Sequence, residues 1–185
     1  MLVKIPAAII ALTIIAWGPA ALADGIIDEI DGGLSAHDVA LGVDHKEGGV
    51  DFNGEALFTS PDFLHAIFAP RPHLGVMINS DGKNSFGYFG LTWTAIFLQD
   101  ILAPTDNIYG GLGLGGAVHD GPNVSFDPDH KGLGSRALFH ESLELGYRTT
   151  MRWSVSIFLD HVSNADLAPH NPGVTDIGLR TGYKF

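Results

Sequence analysis

Apolar and polar residues alternate along much of the chain, most clearly between residues 152 and 160. The odd positions of this stretch are Trp153, Val155, Ile157 and Leu159, whereas the even positions are mostly polar. A period of two residues is typical of a β-strand with one apolar face. Eight segments, separated by turn-forming residues, are predicted to be strands. They cover residues 35–44, 52–59, 71–79, 86–98, 107–119, 136–147, 151–161 and 173–185.

This alternation predicts an all-β protein, but it does not say whether the apolar face meets a protein core or lipid. In a soluble sandwich that face points into the core, whereas in a membrane barrel it points to lipid and the polar face lines the interior. Three features favour the membrane: an apolar leader, the charges Arg180 and Lys184 on the polar face of the last segment, and the terminal aromatic Phe185. We therefore predict an eight-stranded antiparallel outer-membrane β-barrel.

The first 23 residues are predicted to be a secretory signal peptide. Lys4 precedes an apolar run, and the segment ends on Ala21-Leu22-Ala23, which has the Ala-x-Ala form of a cleavage site. Residues 24–185 are predicted to form a single transmembrane β-barrel domain. The sequence has no cysteine, so it offers neither a lipoprotein attachment site nor a thiol nucleophile.

Charge and residue types exclude several classes of partner. The chain carries 10 basic and 21 acidic side chains, a formal net charge of −11 at pH 7. Nucleic acid is not an expected partner, because binding it requires a basic surface. The nine histidines lack the short repeated spacing of a zinc site, and we predict no bound metal. The glycine-rich run 110–116 lacks the Lys-Ser or Lys-Thr of a phosphate-binding loop and is predicted to be a closely packed strand.

A histidine and a serine lie at the end of the seventh predicted strand. His161 and Ser163 are two residues apart, so on an extended strand both project from its apolar face. An imidazole beside a serine hydroxyl can take its proton, which turns a weak nucleophile into a reactive one. The same spacing is also common at ordinary polar strand ends. The pair therefore indicates a hydrolytic site only together with the residues around it.

The surrounding residues resemble those of the PagL-type lipid A 3-O-deacylase family. The most specific element is His-x-Ser-Asn-Ala. The resemblance is strong across roughly residues 133–185 and is elsewhere limited to export, length and strand count. It rests on Asp160-His161-Val162-Ser163-Asn164-Ala165, on Asn171-Pro172-Gly173 with the last strand, and on Leu143-Glu144-Leu145-Gly146-Tyr147-Arg148.

The resemblance implies an outer-membrane esterase that hydrolyses the ester-linked acyl chain at position 3 of lipid A, from a site on its lipid-facing wall. In this sequence His161 matches the base, Ser163 the nucleophile, and Asn164 an asparagine that orients the site or stabilises the oxyanion. Lipid A, or lipopolysaccharide, is then the expected substrate, and the site is expected toward the outer leaflet. The resemblance implies no cofactor and leaves a homodimer open.

The acid of the expected triad is missing from its family position. The family has a glutamate two residues after the glycine of Asn-x-Gly, and this sequence has Thr175 there. Pairing of Ser163 with Gly173 would bring Thr175 opposite His161, where threonine can hydrogen-bond the imidazole but cannot balance its charge. Asp176 is the tentative replacement, although in a regular strand it points to the opposite face unless a bulge turns it.

Two upstream glutamates are weaker candidates for the acid. A three-residue turn after Tyr147 would pair Glu141 with Ile157, about 13 Å along the strand from His161 and too far for a hydrogen bond. Glu144 is the other candidate. A His-Ser dyad without an acid stays open. So does a catalytically degenerate barrel with a structural or lipopolysaccharide-binding role, and so does a soluble periplasmic β-sandwich.

Overall fold

Eight antiparallel strands follow one another around a closed barrel, in which the first strand pairs with the last. The computed structural model describes residues 25–41, 45–150 and 152–185. The strands are β1 (Ile27–Ala36), β2 (Val50–Phe58), β3 (Arg71–Asn79), β4 (Phe86–Gln99), β5 (Asn107–His119), β6 (Ala137–Arg148), β7 (Trp153–Ser163) and β8 (Val174–Lys184). The predicted all-β barrel is confirmed.

A 3-10 helix, Asp62–Ile67, lies between β2 and β3. No helix among the described residues is long and apolar enough to cross a membrane. The predicted signal peptide, residues 1–23, lies outside the described residues.

The barrel wall has an apolar outer surface. On β7 the side chains of Trp153, Val155 and Ile157 are exposed, while Ser154 and Ser156 between them are buried in the interior. Because strand side chains alternate between faces, the same sorting holds on the neighbouring strands. A closed barrel pairs every strand edge, and its apolar exterior suits lipid. Further outward-facing apolar residues include Leu34, Phe52, Leu74, Val76, Phe89, Leu112, Leu114, Phe139, Leu143, Leu145 and Leu179.

The interior is polar and charged. Arg180 lies near its centre, with its guanidinium 3.6 Å from a carboxylate oxygen of Glu55 and 3.5 Å from one of Asp160. Nearer the chain termini, Glu29 pairs with Arg71 at 2.6 Å and with Arg148 at 2.5 Å. These ion pairs join strands that are distant in sequence, and they allow charged residues to be buried inside a narrow barrel.

The first strand is shifted from its predicted position at 35–44. It runs over Ile27–Ala36, and the chain leaves the wall at His37, where Asp38 has a positive φ of 53°. The sequence interpretation missed it because Gly32 and Gly33 interrupt the alternation of apolar and polar residues in the middle of the strand. Residues 42–44 of the predicted strand lie outside the described residues.

The glycine-rich run 110–116 lies within β5, as predicted. A Cβ at Gly115 would stand 1.9 Å from the carbonyl oxygen of Phe89 on β4. The two backbones therefore approach more closely than any larger residue would allow.

The loops β1–β2, β3–β4, β5–β6 and β7–β8 share one end of the barrel, opposite the end where β8 finishes. We call it the distal end. Its interior is closed by an apolar cluster that includes Leu133, Leu138, Val162 and Val174. This cluster supports the distal ends of β6, β7 and β8 from inside.

Candidate active site

His161 and Ser163 lie at the distal end of β7, on its outward face. The strand continues to Ser163, two residues beyond its predicted end, so both side chains share the face of Trp153. Each is half-buried, whereas Val162 between them points inward and is 1 % exposed. The structure thus brings the two residues to the outer wall, on a backbone that is packed from behind.

Thr175 holds the imidazole from the neighbouring strand. It is the direct partner of His161 in the pairing of β7 with β8, as the sequence predicted. The Nδ1 atom of His161 and the Oγ1 atom of Thr175 are hydrogen-bonded at 2.8 Å, and Thr175 is buried. A hydroxyl at Nδ1 fixes the ring orientation and leaves the other nitrogen for chemistry.

The opposite edge of the imidazole rests against Gly173. This glycine has a positive φ of 58°, and a Cβ there would lie 3.0 Å from Cε1 and 3.5 Å from Nε2 of His161. The pairing of β7 with β8 ends at Val162 and Val174, and Ser163 and Gly173 are the residues next to that last pair. The edge of the His161 ring that carries Nε2 therefore faces the end of β7 where Ser163 lies. Among the described residues Nε2 makes no hydrogen bond, so it can accept a proton from the serine.

Asp176, the tentative acid, does not reach His161. Its Oδ1 atom accepts a hydrogen bond from the backbone N–H of Asp38 at 2.7 Å and lies 3.4 Å from Nδ1 of His37, inside the barrel. The β7–β8 register is unbroken from Val174 to Tyr183, so no bulge turns this side chain outward. The tentative assignment is corrected accordingly.

Glu141 is much closer to His161 than the sequence interpretation allowed. It pairs directly with His161 across β6 and β7, and not with Ile157. The predicted turn after Tyr147 was wrong because β6 continues to Arg148 and β7 begins only at Trp153, so the partner of Glu141 lies four residues further along β7.

Glu144 faces the interior instead. Its Oε1 atom accepts a hydrogen bond from the hydroxyl of Tyr109 at 2.8 Å. It therefore stabilises the barrel interior and is separated from the outer wall where His161 lies.

Asn164 connects two distal loops. Its side-chain Nδ2 donates to the carbonyl oxygens of Leu133 and His170, at 2.9 Å and 2.8 Å, and its backbone N–H donates to Oδ1 of Asn171 at 2.9 Å. All of its N–H groups are therefore engaged. This arrangement favours the orienting role predicted for Asn164 over the oxyanion role.

Lys131 is a site neighbour that the sequence did not reveal. Its ammonium is buried, donates to the carbonyl oxygen of Gly173 at 2.8 Å, and pairs with Asp38 at 2.5 Å. It thereby anchors the glycine on which the His161 ring rests. A single lysine in a loop rich in Asp and Gly has no pattern that could have indicated this role.

One group of potential metal ligands lies in the distal interior, within the part of the chain that the structure describes. Ligand atoms of His37, Asp51 and Asp176 lie within 4.8 Å of one another. Burial lowers the pKa of His37, but hydrogen bonds to Asp51 and Glu47 outweigh it and raise the pKa to about 10. A doubly protonated imidazole has no lone pair for a metal, so the geometry fits an ion-pair network.

The same network holds Glu47 ionised. Burial raises the pKa of its carboxyl, but the hydrogen bond from His37 outweighs burial and lowers the pKa below the ordinary value. The pair ties the β1–β2 loop to the interior, behind the wall that carries His161.

A closed eight-stranded barrel with an apolar exterior and a charged interior is the architecture of an outer-membrane β-barrel protein. The chain belongs to the lipid A 3-O-deacylase (PagL) family, whose model matches residues 64–184. This match covers β3 to β8 and includes both His161 and Ser163.

Solved structures show the same fold. The outer membrane enzyme PagL aligns over 85 % of this chain and 99 % of its own, at 16 % identity and a TM-score of 0.63. Neisserial surface protein A (NspA) aligns over 88 % of this chain and 98 % of its own, at 12 % identity and a TM-score of 0.52. A comparison with curated protein sequences finds no match.

Proposed function

We propose that this barrel hydrolyses the 3-O-linked acyl ester of lipid A, with Ser163 as nucleophile and His161 as general base. The observation that carries the proposal is the imidazole on the lipid-facing wall, with Nδ1 bound by Thr175 and its Nε2 edge at the level of Ser163. Family membership supports the lipid A deacylase reaction. The residue roles are those that the family resemblance implies, and the contacts of His161 support them.

The reaction proceeds in two acyl transfers. His161 Nε2 takes the proton of Ser163 as Oγ attacks the ester carbonyl carbon, and the imidazolium then protonates the departing sugar oxygen. His161 then deprotonates a water molecule that attacks the acyl-serine, and the imidazolium returns this proton to Oγ as the bond between Oγ and the acyl carbon breaks, which releases the fatty acid and the free serine. Nucleophile, base and orienting hydroxyl all come from one copy of the chain.

The substrate is proposed to reach the site sideways through the membrane. Because both residues face outward on a wall that carries Phe139 and Leu143, an acyl ester in the adjoining leaflet can contact them without leaving the lipid. Barrels of this class have both termini on the periplasmic side, which would direct the distal end and the site toward the outer leaflet.

The test is mass spectrometry of lipid A from a host that expresses the wild type, the Ser163→Ala variant or the Ser80→Ala variant. Ser80 is an exposed loop serine, so its variant is a matched control. We expect loss of one hydroxyacyl chain with the wild type and with Ser80→Ala. With Ser163→Ala we expect the rate at which this acyl chain is removed from lipid A to fall by roughly 10³-fold or more. Heat-modifiable gel mobility verifies that all three barrels fold.

The alternative is a barrel that has lost catalysis and binds lipopolysaccharide only. Thr175 at the family acid position favours it, because threonine carries no charge to stabilise an imidazolium. A folded wild type that leaves the mass of lipid A unchanged would support this alternative and contradict the proposed deacylation.

A further inference from the structure

Glu141 is an unusual residue for the outer wall of a membrane barrel. It is exposed on β6, between the outward-facing Phe139 and Leu143, which are 46 % and 57 % exposed. We leave aside the two residues at each end of every described strand. Among the remaining outward-facing residues of these strands, only Glu141 has a carboxylate and only His161 has an imidazole. A charge that faces lipid is costly, and in a membrane protein it points to function.

The two residues are also direct partners in the sheet. Glu141 lies opposite His161 on β6, just as Thr175 lies opposite it on β8. Directly opposite residues have Cβ atoms about 4.5–5.5 Å apart in an antiparallel pair. Within the described residues the Glu141 carboxylate makes no hydrogen bond or ion pair, so its flexible side chain is free to turn toward the imidazole.

From this geometry we infer that Glu141 is a positioning residue of the proposed hydrolase, supplying the negative charge that stabilises His161 when it takes the proton of Ser163. The inference rests on the proposed function. Thr175 orients the ring through Nδ1 but is neutral, whereas Glu141 is charged and does not occupy that nitrogen. In a triad, one acid both orients the imidazole and stabilises its positive charge. Here Thr175 on β8 orients the ring, and Glu141 on β6 supplies the charge.

Other charged or titratable groups act on the imidazole from elsewhere. Lys131 binds Gly173 from the distal loops, with its charge paired to Asp38. His140 faces inward on β6 and pairs with Asp160 at 3.0 Å. Neither group is an anion, so neither can balance an imidazolium on the outer wall.

The test compares steady-state hydrolysis of lipid A by the wild type and by Glu141→Gln, both folded in detergent micelles, across the pH range. We expect kcat to fall about tenfold with KM unchanged, because the lost charge acts only when the imidazole is protonated. Without the nearby anion the ring releases its proton more readily. The acidic limb of the pH–rate profile should therefore move to lower pH.

A second variant tests the division of tasks. Adding Thr175→Glu to Glu141→Gln returns an anion to the opposite neighbour of His161, and it should restore kcat and move the acidic limb back. Leu74→Gln, which places the same amide on the outward face of β3 and away from the site, is the matched control and should keep the wild-type profile.

Three results separate the two proposals. An active wild type whose kcat and acidic limb are unchanged by Glu141→Gln overturns this inference and leaves the proposed function standing. A fall in kcat without movement of the acidic limb also overturns it, because a structural role would suffice. A folded wild type without hydrolysis overturns both.

Discussion

At the scale of single residues, the site depends on which atom of His161 each neighbour contacts. The hydroxyl of Thr175 is hydrogen-bonded to Nδ1, and Gly173 lies against the Cε1–Nε2 edge of the ring. A hydroxyl can orient an imidazole as well as a carboxylate does, but it adds no charge. Thr175 stands where the family resemblance implies a glutamate, so it orients the ring without supplying an anion.

Thr175→Val removes the hydroxyl at nearly constant volume. One hydrogen bond of about 1 kcal/mol orients the ring, so we expect hydrolysis to slow about fivefold without movement of the acidic limb. Thr181→Val is the control, since Thr181 lies on the outer face of β8 and also donates one hydrogen bond, to the carbonyl oxygen of Ser154. Steady-state rates of both variants check this prediction. A wild-type rate for Thr175→Val would mean that the ring is oriented by another group.

At the scale of elements, the β7–β8 loop is fixed by the loop that precedes β6. Asn164 donates to Leu133 on one side and to His170 on the other. Lys131 reaches across to Gly173. Both contacts join segments far apart in sequence, and both hold the backbone on which His161 rests.

Asn164→Ala should destabilise this connection. It leaves two carbonyl oxygens without their donor, which costs about 1–3 kcal/mol when such groups are buried. We expect a lower free energy of unfolding in denaturant and faster proteolysis in residues 164–173, together with slower hydrolysis. Asn171→Ala is a milder comparison, because it removes one acceptor of a backbone N–H. Loss of hydrolysis at full stability would instead indicate an oxyanion role for Asn164.

At the scale of the whole molecule, a buried charge network closes the distal end. His37 is hydrogen-bonded to Asp51 at 2.8 Å and to Glu47 at 2.9 Å, while Lys131 pairs with Asp38. These contacts join the β1–β2 and β5–β6 loops to the barrel wall. Because the groups are buried, their protonation states affect the stability of the fold.

The pH dependence of unfolding follows from the raised pKa of His37. Its stabilisation is fully present below the ordinary value of 6.5 and is lost as the pH rises through about 10. For Glu47, whose pKa is lowered, stabilisation is present above 4.5 and is lost at lower pH. Heat-modifiable gel mobility should therefore give an unfolding temperature that decreases from pH 6 to pH 10.

The matched variants for this prediction are His37→Gln and His65→Gln. His65 is exposed on the 3-10 helix and should keep the wild-type slope, whereas His37→Gln should flatten it. An equal slope in all three proteins would contradict the assigned role of His37.

The alternation of polar and apolar residues by itself determined the strand count, the outward face of β7 and the placement of His161 and Ser163 on that face. It could do so because side-chain direction repeats every two residues along a strand. The sequence also led correctly to Thr175 opposite His161, since the β7–β8 pairing could be read from the glycine at 173.

Only the tertiary structure decided the start of β1, the interior position of Asp176 and the pairing of Glu141 with His161. The β6–β7 register depends on where the two strands meet the turn: β6 ends at Arg148 and β7 begins at Trp153, which moves the partner of Glu141 from Ile157 to His161. The bounds of β1 depend on ion pairs of Glu29 with Arg71 and Arg148, which are distant in sequence. Periodicity is a local property, whereas register and interior charge pairing are set by contacts between segments that meet only in the closed barrel.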